Sequence, residues 1–213
     1  LDAALCAATG WRVRPTAGLL HPRDFLAGLA FSCFHSTQYV RHASRPDYTP
    51  EPDLVHEAIG HVPMLADVGF GELARGVGAA ALGADDAAVW ALTKVYWHTV
   101  EFGVVMEDNV PKAFGAGILS SVAEMENLAA GGVEIVPFDP FQPLPKMAYR
   151  DGVQRRYYTL SSFSAGAARL AEYCEHVRAR LPPGRRAVVE AALEEADAAA
   201  ARRRGGAGAA CAR

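Results

Sequence analysis

Apolar positions along this chain recur mostly at helical spacing. Phe25, Leu26, Leu29, Ala30 and Cys33 make one stripe and predict a helix over 24–34. Thr49 and Pro50 read as a helix start, with Thr49 as N-cap and Pro50 at the first position, where a missing N–H costs nothing. That helix runs to Gly60, a residue free to take the left-handed conformation that ends helices. The small-residue run 70–82 predicts a closely packed helix. Val89, Leu92, Tyr96, Val100 and Val104 share a face and predict one long helix over 85–107. A further amphipathic helix covers 165–181 and stops at Pro182-Pro183-Gly184. Only 133–136 and 157–160 are branched or alternating enough to predict strands.

The fold class is therefore mainly α, an α+β chain with a few short strands and no internal repeat. Its character changes after 181. Residues 185–204 are almost all Ala, Glu and Arg, a strong helix former with little to bury, and 205–213 are of low complexity and predicted to be disordered. The expected division is a folded domain over 1–181 followed by a helix and tail over 182–213. The run Arg202-Arg203-Arg204 reads as a solvated helix end, because cations favour a helix C-terminus.

Composition excludes some classes. A chain of 213 residues with 51% hydrophobic and 21% charged positions can bury one proper core. A net charge of −3 gives no general attraction to nucleic acid or anionic membranes, and no apolar run is long enough to span a bilayer. Neither is expected as a partner. Cys6, Cys33, Cys174 and Cys211 show no paired spacing, which fits reduced thiols and a cytoplasmic location. The chain lacks a basic leader and an initiator Met, so it is read as N-terminally truncated. It shows no long heptad tail, so a monomer is expected.

The residues with the most chemistry are His56-Glu57-Ala58-Ile59-Gly60-His61 and, downstream, Glu101. Two imidazoles and one carboxylate on one face of a metal suit a mononuclear non-haem iron(II), with the opposite positions open. Zinc-protease helices carry their histidines at i and i+4. Here the second is at i+5, which turns it about 140° from the first on an unbroken helix. The two converge only if the helix is interrupted between them, and Gly60 is placed to end it. A solvated His-Glu face with a buried, satisfied His61 is the structural alternative.

The run from Arg41-His42 through Pro46-Asp47-Tyr48-Thr49-Pro50-Glu51-Pro52-Asp53 to His56-Glu57 and His61-Val62-Pro63 resembles the core signature of the pterin-dependent aromatic amino acid hydroxylases. Gly18-Leu19-Leu20 with Arg23-Asp24-Phe25-Leu26, Tyr96-Trp97 with Glu101-Phe102-Gly103, and 112–121 resemble further blocks of that family, most like its bacterial phenylalanine hydroxylases. The likeness is in register over about 12–124 and weaker to about 173.

The resemblance implies Fe(II) on His56, His61 and Glu101, and tetrahydrobiopterin or a related tetrahydropterin as reductant. It implies that Gly18, Leu19, Leu20, Phe25, Glu57 and Tyr96 face the pterin. It implies that Arg41, Thr49, Pro52, Trp97 and Ser120 face an aromatic amino acid, with Arg41 holding its carboxylate through a bidentate fork. An Arg41 ion pair with Asp47 or Glu51 is the rival reading. Two departures stand out. Pro22, in the pterin loop, has no N–H to donate. Thr159 occupies a place where phenylalanine-specific members tend to have a small aliphatic residue. The expected activity is O2-dependent ring hydroxylation of free L-phenylalanine to tyrosine. The alternative is a specialised hydroxylase acting at another ring position, or on tyrosine or tryptophan. A zinc hydrolase and a non-catalytic amino-acid-binding remnant are the readings from other classes.

Overall fold

The computed structural model describes residues 1–47, 49, 51–148 and 152–205. The chain opens with α1 (Asp2–Thr9), β1 (Arg12–Pro15), α2 (Pro22–Ala30) and β2 (Cys33–Ser36). A helical segment follows in three parts: α3 (Leu54–His56), a π-helical turn (Glu57–His61) and α4 (Val62–Leu65). Next come α5 (Val68–Ala81), α6 (Asp86–Tyr96) and a second π-helical turn (Trp97–Glu101). Strands β3 (Gly103–Glu107) and β4 (Val110–Ala113) lead to α7 (Ala116–Leu119) and α8 (Val122–Ala129). The chain closes with β5 (Glu134–Pro137), β6 (Arg156–Leu160), α9 (Phe163–Arg178) and α10 (Pro183–Gly205).

Helix α5 is the centre of the packing. It lies against α2 on one side and α9 on the other. Its small residues permit that approach, and Ala74, Val77 and Ala80 are fully buried with Leu26, Leu29, Leu92 and Leu170. A four-stranded sheet in the order β4-β3-β6-β5 flanks this helical body, with β3–β4 antiparallel and the other two pairs parallel. A separate parallel pair joins β1 to β2, with Arg12 opposite Cys33.

The helix predicted over 85–107 stops at Glu101, and 103–107 is a strand. Gly103 shows why. A Cβ there would lie 2.2 Å from the Phe114 ring and 2.4 Å from the Thr99 carbonyl. Two residues with positive φ, Asp108 at 49° and Asn109 at 62°, then form a two-residue hairpin turn, the preferred link between twisted antiparallel strands. The helix predicted over 24–34 likewise ends at Ala30, because Ser32 takes φ 52° and 33–36 pair with β1.

Two helix-end expectations are corrected. Asp53, not Thr49, caps the His56 helix, accepting the His56 N–H at 2.9 Å; Pro50 lies outside the described residues. Helix α10 also buries more than its composition predicts. Val189 and Leu193 join Ala30, Ala79 and Leu181 in a small apolar cluster. Arg203 and Arg204 donate to the Gly10 and Thr9 carbonyls, so the arginine run touches the end of α1 while Arg202 and Arg204 stay exposed. The tail beyond 205 lies outside the described residues. Cys33 and Cys174 are free thiols, in keeping with the reduced-thiol expectation at those two positions; Cys211 lies outside the described residues.

Gly103→Ala forces the Phe114 ring or the strand to move. Overpacking of this kind costs about 1–3 kcal/mol. The variant should therefore melt several degrees below wild type in a calorimetric scan, and equal melting temperatures would show that the close approach is unimportant.

Candidate metal centre and its two cavities

The two π-helical turns explain how residues five apart in sequence can share a site. In each turn a backbone N–H reaches the fifth carbonyl back: Val62 to Glu57, and Phe102 to Trp97 at 3.0 Å. Such single π turns recur at functional sites. His61 and Glu101 are each the last residue of one. The segment is therefore widened at His61 rather than ended, which corrects the helix stop expected at Gly60. Gly60 keeps helical geometry, and its missing Cβ has another use. A Cβ there would sit 2.7–2.8 Å from Ala116 atoms, so the glycine lets α7 lie against the histidine segment.

That contact delivers Ser120. Its hydroxyl donates to the Ala116 carbonyl at 2.7 Å and lies 2.8 Å from His56 Nδ1. A serine has one proton to give. Since the Ala116 carbonyl receives it, Ser120 accepts from Nδ1–H, and His56 Nε2 is left with its lone pair. The sequence reading placed Ser120 beside a substrate; the structure also makes it the partner that orients a candidate ligand.

Three donor atoms converge. His56 Nε2 and His61 Nε2 are 3.0 Å apart, His61 Nε2 is 3.1 Å from Glu101 Oε1, and His56 Nε2 is 3.5 Å from Glu101 Oε2. Ligands about 2.1 Å from a divalent ion at adjacent octahedral corners are about 3.0 Å apart, so the spacing fits one ion. Among the described residues this is the one His/Cys/Asp/Glu group that meets the ligand-atom distances for a metal. Glu57 is not part of it. Its Oε2 is 4.0 Å from His61 Nε2, while Oε1 accepts from the Thr37 N–H and hydroxyl at 3.1 and 3.2 Å.

The electrostatics favour a cation. Burial lowers the His56 imidazole to about 4 despite the pull of Glu101, so it is a neutral donor at neutral pH. Burial also opposes charge on His61, but Glu101 and Glu57 outweigh it and draw a proton there. The same negative field would be satisfied by a divalent ion, and the mixed imidazole–carboxylate set suits iron.

His56 and Glu101 stand between two cavities of about 250 Å³ each. One is lined by Gly18, Leu19, Leu20, Phe25, Glu57 and Tyr96, together with His61. The other is lined by Arg41, Thr49, Pro52, Trp97 and Ser120. Pro52 and Trp97 touch both. Phe25 meets Tyr96 edge-on at 5.2 Å, so it is both cavity wall and packing element. Pro22 is the first residue of α2, capped by the His21 side chain, a position where a proline loses nothing.

Arg41 is placed differently from expectation. Its Nη2 and Nε reach Asp53 Oδ1 and Oδ2 at 2.9 and 3.0 Å, and its backbone N–H donates to Oδ2 at 2.7 Å. The bidentate edge is thus taken by a carboxylate that the sequence reading did not consider, rather than by Asp47 or Glu51. The Nη1 group faces the Pro46 and Ser120 carbonyls, both at 3.2 Å. Burial alone would raise the Asp53 carboxyl, but Arg41 and the His56 N–H hold it down at about 2. The D-x-x-H spacing of a side-chain cap was the available signal for Asp53. Thr49 donates to the Glu51 carbonyl at 2.6 Å. Thr159 is off the cavity wall. It sits in β6 opposite Val104 and Pro137, and the far end of the cavity is formed instead by Glu124, Gln154 and their neighbours. Glu124, also missed, is buried and accepts from the Tyr157 hydroxyl and the Gln154 N–H.

A model of the biopterin-dependent aromatic amino acid hydroxylases matches residues 1–182. The chain belongs to that family. Its similarity to family members extends to a chloroplastic phenylalanine 4-monooxygenase of Chlamydomonas reinhardtii, 59% identical over 173 residues, 81% of this chain and 48% of that protein. Among solved hydroxylases, phenylalanine hydroxylase of Legionella pneumophila aligns over 83% of this chain and 78% of its own, with TM-score 0.71 and 29% identity. A Chromobacterium violaceum phenylalanine hydroxylase with bound iron(III) and 7,8-dihydrobiopterin aligns over 85% of this chain and 67% of its own, with TM-score 0.73 and 29% identity. The chain spans about half the length of the relatives it matches.

Two predictions test this geometry. Ser120→Ala removes the acceptor for His56 Nδ1 and should weaken Fe(II) binding about 10–100-fold, the range for lost ligand-orienting partners. Iron titration followed by a metal-sensitive spectrum measures it, with His61→Ala as the variant that loses the site outright. Asp53→Asn leaves Arg41 unpaired, and breaking a buried pair costs about 3–5 kcal/mol. Because the Asp53 pKa is depressed, this stability is present above the ordinary carboxyl value and is lost as pH falls through about 2. The gap between wild type and Asp53→Asn in urea melts should accordingly close in acid; a gap that stays constant from neutral pH down to about 2 would rule out the charge pair.

Proposed function

We propose that this chain is the catalytic part of a phenylalanine 4-monooxygenase, hydroxylating free L-phenylalanine to tyrosine with O2, Fe(II) and a tetrahydropterin. The observation that carries the proposal is the partition just described. Residues assigned to a pterin line one cavity, residues assigned to an amino acid line the other, and the three candidate ligands lie at their junction. The name of the Chlamydomonas relative and the ligands of the Chromobacterium structure support it.

Iron and reduced pterin, once bound, supply the electrons and activate O2; the chain's own residues place the reactants. Arg41 gives the amino-acid cavity its positive charge. One edge of its guanidinium is fixed on Asp53 and Nη1 is shared between the Pro46 and Ser120 carbonyls, so Arg41 serves a substrate carboxylate through its charge rather than through a free fork. The Trp97 ring, braced against Phe102 with centroids 4.6 Å apart, forms an aromatic wall next to Glu101. A substrate ring against that wall is held beside the metal, which converts an encounter into a positioned reaction. Glu57, held by Thr37, offers a carboxylate to the pterin cavity. Burial raises its pKa, so it can share a proton with a polar pterin edge.

A monomer acting in the cytoplasm belongs to this reading. No helix among the described residues is long and apolar enough to cross a membrane. The chloroplastic name of the Chlamydomonas protein makes a plastid the compartment to test against it.

The deciding experiment supplies Fe(II), a tetrahydropterin and O2, offers phenylalanine, tyrosine and tryptophan together, and identifies the product by mass and retention. Tyrosine from phenylalanine is expected. A product hydroxylated elsewhere, or a preference for another ring, would move the chain to the specialised alternative. Trp97→Phe should widen the cavity and shift preference toward tryptophan by roughly tenfold, since size discrimination is modest and easily tilted.

A further inference from the structure

A third cavity of about 650 Å³, larger than either cavity at the metal centre, lies where the start of α6 meets the end of α9 and the start of α10. None of the residues placed at the metal centre or its two cavities lines it. Three cations do: Lys94, Arg180 and Arg185. Among the described residues Lys94 donates only to the Leu144 carbonyl at 3.3 Å and Arg185 only to the Gly83 carbonyl at 3.2 Å. Arg180 meets His176 Nε2 at 2.8 Å. None of the three has a carboxylate within ion-pair distance among the described residues. The acids nearby are taken by other arginines: Glu172 by Arg169, Glu175 by Arg178 and Arg186, and Glu190 by Arg186. The one acid on the cavity wall, Asp85, is used as the cap of α6, accepting the Ala88 N–H at 2.8 Å. Lys94 is half-buried, where a cation without a counter-ion is disfavoured.

The rest of the wall is mostly apolar and aromatic, with Gln142 and His176 as its other polar groups. Phe141 and Tyr173 meet edge-on at 5.2 Å, and Arg169 stacks over the outer side of Phe141 at 4.3 Å. The alanines of α6 provide a smooth opposite face. Cations without partners around an apolar hollow match a ligand with one anionic end and one flat apolar end.

We infer that this cavity is a second binding site, separate from the metal centre, for an arylalkyl carboxylate held by Lys94, Arg180 and Arg185 with its ring against Phe141 and Tyr173. The site does not depend on what occupies the cavities at the metal.

Titration calorimetry of the iron-loaded chain with phenylacetate tests it, alongside Arg180→Ala/Arg185→Ala and Lys94→Gln. The difference between wild type and these variants isolates this cavity, whatever binds beside the metal. Saturable binding in wild type, weakened at least tenfold in the double variant and in Lys94→Gln, is expected, with iron content and melting temperature unchanged in the double variant, whose two substituted residues are exposed. Inorganic phosphate, an anion without a ring, should bind at least tenfold more weakly than phenylacetate. Equal phenylacetate affinity in wild type and the double variant would overturn the site. Phosphate binding as tightly as phenylacetate would overturn its assignment to an aromatic ligand.

Discussion

Three donor atoms of two imidazoles and a carboxylate, about 3 Å apart and buried, are the arrangement on which the remainder of this structure depends. The His61–Glu101 ion pair favours part of that closeness, but nothing in the side chains themselves brings His56 in as a neutral third donor. Burial opposes charge on each of them; it prevails at His56, whereas mutual attraction outweighs it at His61 and Glu101. The surrounding chain must therefore hold them. It does so with two widened helical turns, one ending at His61 and one at Glu101, and with a glycine that lets a third segment close over the histidines.

The support is layered. Ser120, carried by the segment that rests on Gly60, sets which His56 nitrogen bears the proton. Asp53 caps the first turn below His56 and binds Arg41 through three contacts. One carboxylate thus links the start of a ligand helix to the residue that charges the amino-acid cavity. Thr37, just after β2, fixes Glu57 on the opposite side. Each partner comes from a different part of the chain, so local damage at any of them is felt at the metal ligands.

The same construction separates two chemistries. A π turn aims His61 into the Gly18–Phe25 side, while Trp97, one helical turn before Glu101, faces both cavities with Pro52. A shared wall keeps the two cavities apart yet both adjacent to the three candidate ligands. Proximity of this kind depends on rigid elements, and α6 provides one: its N-terminal end is pinned by Arg23, which reaches both Asp86 and the Ala84 carbonyl.

Much of this was legible in the sequence. The donor set of His56, His61 and Glu101 is a matter of side-chain chemistry, which the sequence states directly. The residues for each cavity followed from the family pattern, the helix over 70–82 from its run of small residues and the helix over 165–181 from apolar periodicity. The i+5 spacing also announced that the helix could not be regular. What form the irregularity takes was decided by tertiary contact. Ala116 presses on Gly60, so the segment widens and continues where a stop was expected. Phe114 occupies the space of a Cβ at Gly103, so an unbroken apolar stripe becomes helix and then strand. Asp53 reaches Arg41 from twelve positions along the chain, so the fork expected to await a substrate already holds a partner. Periodicity and side-chain type are local properties and can be read along the chain. Close approach, buried pairing and the direction of a single hydroxyl proton arise between segments far apart in sequence, and only folding brings them together.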